Sequence, residues 1–173
     1  CMQTEQRVWT ADTGWSDTSV ATGNPQLVLA FGGRAQLEDA ALYKDVTGFY
    51  ANAHILWCST AGEIAGTRVE DDSLVITALT FKKTTLAFAT TTINDASDSE
   101  VAGKQLAAEL STEDLAHVMV FSDGLNVNGT NLVQGLRPEL PKTVSVTGGL
   151  VGDGSAFEKT VLSLDETPQS GNI

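Results

Sequence analysis

Apolar residues fall into short unbroken runs, each ended by glycine or by a polar stretch. That is the pattern of strands buried on both faces. Residues 26–31 form one such run, closed by Gly32-Gly33, residues 54–58 a second and residues 115–122 a third. Residues 7–11 read as a short strand ahead of a polar stretch over 12–25. Residues 73–81 and 84–93 read as a pair of strands with Lys82-Lys83 at the hairpin tip, and 144–147 and 157–164 as further strands. Between them the spacing turns helical. Leu37, Ala40, Ala41 and Tyr43 predict a helix over 36–50, weakened near its end by Gly48. Asp95 or Ser97 caps a helix over 95–110 whose Val101, Leu106 and Leu110 share a face. A last helix covers 129–140 and is closed by Pro138 and Pro141.

Strands alternating with helices define an α/β fold of layered mixed β-sheets with flanking helices. The order also repeats. A strand ending in Phe31-Gly32-Gly33, a helix, a strand, a small-residue loop and residues 74–79 form one unit. A strand ending in Ser122-Asp123-Gly124, a helix, a strand, a glycine loop and residues 160–164 form another. Two related βαββ-type halves that face one another are expected, with their strand-end loops meeting where α/β sheets favour ligands.

Composition narrows the partners. The 173 residues carry 22 acidic against 10 basic side chains, a net charge of −12, so phosphate backbones and anionic membranes are poor partners. The apolar runs are too short to cross a bilayer and no signal-peptide pattern appears, which predicts a cytoplasmic location. Cys1 precedes Met2, which reads as the natural start. Cys58 is then a lone cysteine in an apolar strand, as suits a reducing compartment.

Three strand-end loops hold the candidate chemistry. Ser59, Thr60 and Glu63 come from the first, Ser122, Asp123 and Asn126 from the second, and Gly148, Gly149, Gly152 and Asp153 from the third. Hydroxyls, amides, carboxylates and glycine N–H groups of this kind suit a small polar molecule. For an amino acid, the 148–154 N–H groups are the candidate carboxylate receptor and Glu63 or Asp153 the candidate ammonium receptor. Catalytic patterns are missing: there is no nucleophile elbow, Walker loop or dinucleotide fingerprint. Cys58 and His54 share a strand face but lie about 13 Å apart at roughly 3.3 Å per residue, too far for direct proton transfer. His54 and His117 form no metal cluster, although one histidine suffices as an axial haem ligand.

Four stretches carry a resemblance to a known family. They are Cys58-Ser59-Thr60-Ala61-Gly62-Glu63-Ile64, Asp72-Ser73-Leu74-Val75-Ile76, Val120-Phe121-Ser122-Asp123-Gly124-Leu125-Asn126, and Thr147-Gly148-Gly149-Leu150-Val151-Gly152-Asp153-Gly154 with Phe157. In this order they resemble the N-terminal FIST domain, over about residues 26–164. The resemblance implies a sensory module of bacterial signal transduction that binds a small ligand, such as an amino acid, without turnover and without a cofactor. Haem-based nitric-oxide sensing, with His54 as the haem ligand, and a ligand-free interaction module are its alternatives. It further implies as partners a C-terminal FIST domain and a downstream signalling protein, with residues 1–25 an N-terminal strand and linker and 165–173 a tail leading to that second domain. Two departures stand out: the 12–25 stretch is short and polar where the family has a helix, and Trp57 stands where a small residue is typical.

Overall fold

The computed structural model describes residues 2–21, 23–110 and 113–173. Cys1, read as an addition ahead of Met2, lies outside the described residues. The fold is mixed α/β, with two lobes built on separate cores.

The first lobe is a six-stranded sheet. Its strands are β1 (Met2–Thr10), β2 (Gly14–Trp15), β3 (Leu27–Gly32), β4 (His54–Ser59), β7 (Leu74–Phe81) and β10 (Leu162–Leu164), in the order β10-β4-β3-β7-β1-β2. A small hairpin of β5 (Glu63–Ala65) and β6 (Arg68–Glu70) projects between β4 and β7. β3 and β4 run parallel, and α1 (Arg34–Leu37) and α2 (Ala40–Phe49) form the crossover between them. Val28, Ala30, Ile55, Trp57, Leu74 and Ile76 point to the helix side, where they bury Leu37, Leu42, Val46 and Tyr50.

The second lobe pairs β8 (His117–Ser122) with β9 (Ser145–Leu150) as a parallel two-stranded ribbon. α3 (Ser99–Glu109), entered through a 3-10 turn at Ala96–Asp98, and α4 (Gly129–Glu139) cover one face of the ribbon. Leu106, Val118, Leu132, Leu136 and Val144 make its core. A small cluster of Cys58, Val151 and Leu162, with Phe31, Leu56 and Phe121 packed on it, joins the lobes.

Several expectations need correction. Residues 84–93 do not form the second arm of a hairpin. Both edges of β7 are taken, by β3 and by β1, so the following segment finds no free edge. It leaves the sheet, and its end pairs instead with the last residues of the chain: Thr91 and Ile173 exchange N–H···O bonds of 3.1 and 2.9 Å. The first strand starts at Met2 rather than Arg7 and lies inside the sheet, in register from Met2↔Phe81 to Trp9↔Leu74. The helix expected over 36–50 is two helices, because Asp39 caps a new start by accepting from the N–H groups of Ala41 and Leu42.

In α3 the buried face is Ala102, Gly103, Leu106 and Ala107, while Val101 is exposed. The expected cap holds, since Asp95 accepts from Ser97 N–H at 2.7 Å. The helix expected over 129–140 is α4, with Pro138 in its last turn. The strand expected over 157–164 shrinks to Leu162–Leu164, and that strand does not close the second half. It pairs antiparallel with β4, in the first lobe's sheet. Strand–helix–strand is thus repeated, but the two halves share one sheet edge rather than forming two equal faces.

Candidate functional site

The C-terminal ends of β3 and β4 and the uncovered face of the β8–β9 ribbon enclose an open concavity of about 410 Å³. Its walls come from both lobes: Phe31 and residues 58–61 from the first, Met119, Phe121 and residues 147–152 from the second. Strand alternation explains the second wall. Val118 and Val120 point toward α3 and α4, so Met119 and Phe121 point the other way. A second hollow of about 690 Å³ lies beside β9, between that strand and α4.

Hydrogen bonds strap the lobes together around the concavity. Gly152 N–H donates to the Ser59 carbonyl at 2.8 Å, and Gly154 N–H to the Thr60 carbonyl at 3.1 Å. Val151 N–H donates to the Ser122 carbonyl at 2.9 Å. Gly148 has φ +147°, and a Cβ there would lie 1.7 Å from the Val120 carbonyl oxygen, so β9 can run this close to β8 only with glycine.

Of the ten candidate residues, Ser59, Thr60, Gly148, Gly149 and Gly152 line the concavity. Ser122 lines the second hollow. Glu63, Asp123, Asn126 and Asp153 line neither; they organise the loops from within.

Glu63 is buried, takes the Thr60 hydroxyl on one oxygen, and accepts from Ser73 Oγ at 2.8 Å and Ser73 N–H at 3.2 Å on the other. Asp123 is fully buried. Its Oδ1 accepts from Leu125 N–H and Asn126 N–H at 2.8 and 2.9 Å, and its Oδ2 from Gly171 N–H at 2.8 Å and Asn126 Nδ2 at 3.2 Å. Burial pushes this carboxyl up, but the N–H groups of Gly171, Asn126 and Leu125 together outweigh it and hold it below the usual carboxylate range. Asp153 accepts from the N–H groups of Glu158 and Lys159 at 2.9 Å each and from Arg34 Nε at 2.8 Å. Those backbone donors, led by Lys159, hold it below its ordinary value against the effect of burial. The same turn puts Phe157 at φ +53° with its ring outside, 76% exposed.

Cys58 lines the wall as a thiol, since burial pushes it up to about 12. No histidine lines the concavity among the described residues. His54 sits at the opposite end of β4, exposed, with Nδ1 2.7 Å from Asp165 Oδ2 and its ring 4.4 Å from that of Phe88. His117 Nε2 lies 2.8 Å from Thr147 Oγ1. His54, the expected haem ligand, is thus absent from the walls of the concavity, and no haem chemistry is derived there. The described residues hold no group of three His, Cys, Asp or Glu side chains arranged for a metal, and no helix long and apolar enough to cross a membrane.

The apolar walls were not legible as a site from the sequence. Their signal was the two-residue alternation of Met119 and Phe121 opposite Val118 and Val120, which marks a face without saying what it looks at.

The fold is a mixed α/β domain with a concavity between its two lobes. The FIST N domain family matches residues 26–173, and the chain belongs to that family, whose members are sensory domains of signal transduction. No curated protein and no solved structure matches the chain.

Proposed function

We propose that the chain is a cytoplasmic sensory domain that binds a small molecule in the interlobe concavity and transmits occupancy to a signalling partner without turning the ligand over. One observation carries this reading: the concavity is walled by two lobes with separate cores, so a ligand there touches both at once. Its volume lies within the ~300–1,000 Å³ usual for small-molecule sites. A ligand contacting both lobes stabilises one relative placement of them, and that differential contact is what an equilibrium shift requires. The partners that fit this reading are a C-terminal FIST domain and a downstream signalling protein. Family membership and the inert, high-pKa Cys58 thiol support binding over catalysis.

The test is a thermal-shift screen of the purified chain against amino acids, their uncharged analogues and haem. A ligand at a hundred times its dissociation constant adds about 2.7 kcal/mol, which for a chain this size raises Tm by roughly 5–10 °C. Recovery of the bound compound unchanged after prolonged incubation is expected. Chemical conversion of it would overturn the sensor reading.

A further inference from the structure

The ligand's charge class can be argued from the same walls, and this step rests on the binding reading above. We infer that the concavity takes an uncharged, mainly apolar molecule, an aromatic ring or a branched hydrocarbon with at most a neutral hydrogen-bonding group, rather than a zwitterionic amino acid.

No charged side chain lines the concavity among the described residues. Each carboxylate near it is already matched from inside its own loop: Glu63 by Thr60 and Ser73, Asp153 by Arg34 and two N–H groups, Asp123 by four donors. The glycine loop that might have formed an anion receptor turns three of its donors inward. The N–H groups of Val151, Gly152 and Gly154 all bond to carbonyls of the neighbouring loops. The three wall hydroxyls are engaged too: Ser59 Oγ accepts from Val161 N–H at 2.9 Å, Thr60 donates to Glu63, and Thr147 lies 2.8 Å from His117.

A zwitterion would therefore leave water for a wall with no counter-charge for either end, which is costly for each ion. A ring meets the opposite situation. Phe31 and Phe121, with centroids 6.0 Å apart and planes tilted by 53°, offer faces and edges, and Met119 offers a thioether. The neutral polar handle is the outer edge of β9. This strand pairs only with β8 among the described residues, and in a parallel ladder alternate residues point N–H and C=O away from the partner. One donor and one acceptor there suit an amide, an indole N–H or a hydroxyl.

The experiment uses the full chain and matched probes, indole against tryptophan and p-cresol against tyrosine, by isothermal titration. The neutral member of each pair is expected to bind at least tenfold more tightly than its amino acid. Tryptophan or tyrosine binding as tightly as its analogue would overturn this inference and leave the binding reading standing. Binding by none of the four would overturn both. Gly149→Phe, at a residue bordering both hollows, and Met119→Ala, at one bordering only the concavity, together locate the site: an added Cβ at Gly149 meets nothing within 4 Å, so the ring enters open space beside β9. Gly149→Phe should weaken indole binding at least tenfold with the free protein's Tm unchanged. Met119→Ala, at a half-exposed position outside the buried cores, should weaken it about fivefold. Undiminished indole binding in both variants would put the ligand elsewhere and overturn the inference.

Discussion

The two lobes solve the same packing problem in opposite ways. In the first, the apolar strands β3, β4 and β7 have neighbours on both edges, and two helices cover one face, with Tyr43 of α2 stacked on Trp57 of β4. In the second, the described residues form two strands, and the core depends on two helices crossing backbone to backbone. A Cβ on Gly103 would lie 2.3 Å from the Leu132 carbonyl oxygen, and one on Gly135 would lie 2.0 Å from the Glu100 carbonyl oxygen. Many strand hydrogen bonds hold the first lobe, and a single close crossing organises the second. The second lobe is therefore expected to have the lower resistance to local opening, and it supplies most of the concavity's lining residues.

The sharpest way to break this asymmetry is Gly135→Val. Backbone cannot give way as a side-chain tip does, so the helices must separate, at a cost of about 3 kcal/mol or more. Amide hydrogen exchange should rise across α3, α4, β8 and β9 while β3, β4 and β7 keep their protection. Equal loss in both lobes would mean that the molecule has one cooperative core rather than two.

Arg7→Met makes the complementary cut. Arg7 is buried, with Nη2 2.6 Å from Glu5 Oε1, donates to the carbonyls of Asp17 and Ser19, and sits 4.9 Å over the Phe49 ring and 5.2 Å over that of Tyr50. Tyr50 also donates to Glu5 at 2.9 Å. Methionine keeps the apolar stem and leaves Glu5 and two carbonyls without their partner. Because Glu5 is partly exposed and keeps the Tyr50 donor, the loss falls below the roughly 3–5 kcal/mol of a broken buried pair, at about 2–3 kcal/mol. Exchange should rise in β1, β2 and α2 and leave α3 and α4 unchanged.

How much of this was legible in the sequence follows from how local each cause is. The runs of β3 and β4 were readable because both faces are largely covered, and that of β8 because its residues are apolar on both faces although only one is packed against helices. Residues 84–93 misled because their own alternation suits a strand, and only the occupancy of β7's edges, fixed by distant β1 and β3, forbids one. The expected strand begins at Arg7, yet the polar Met2–Gln6 joins it because β7 supplies the ladder. The strand-end loops were found as loops, but residue type alone could not separate a carboxylate aimed at a ligand from one aimed at its own backbone. Glu63, Asp123 and Asp153 all take the second course. The apolar walls were missed for the converse reason, since Phe31, Met119 and Phe121 look like ordinary strand residues until the ribbon is seen to lean over the sheet.

Asp123 sits where the lobes meet, and its substitution asks whether they are coupled. Its four donors come from the loop after β8 and from Gly171 near the end of the chain. Asn at this position places an amide N–H₂ against donors, so at neutral pH a loss of about 2 kcal/mol is expected. Removing one charge from a chain at net −12 acts in the other direction, but that repulsion is screened beyond roughly 8 Å at physiological salt and does not cancel the local loss. The folded carboxyl titrates below its unfolded value of about 3.9, so between the two the unfolded chain binds more protons and stability rises with pH. The Asp123 contribution is thus complete above about pH 5 and drains away as pH falls through 4 toward the lowered value. In urea titrations, wild type and Asp123→Asn should differ most near neutrality and converge in acid, where the protonated acid also presents a donor to donors. A gap that stays constant down to pH 3 would show that Asp123 acts through shape rather than charge. A loss of protection confined to the β8 loop would show that the lobes meet here without depending on one another.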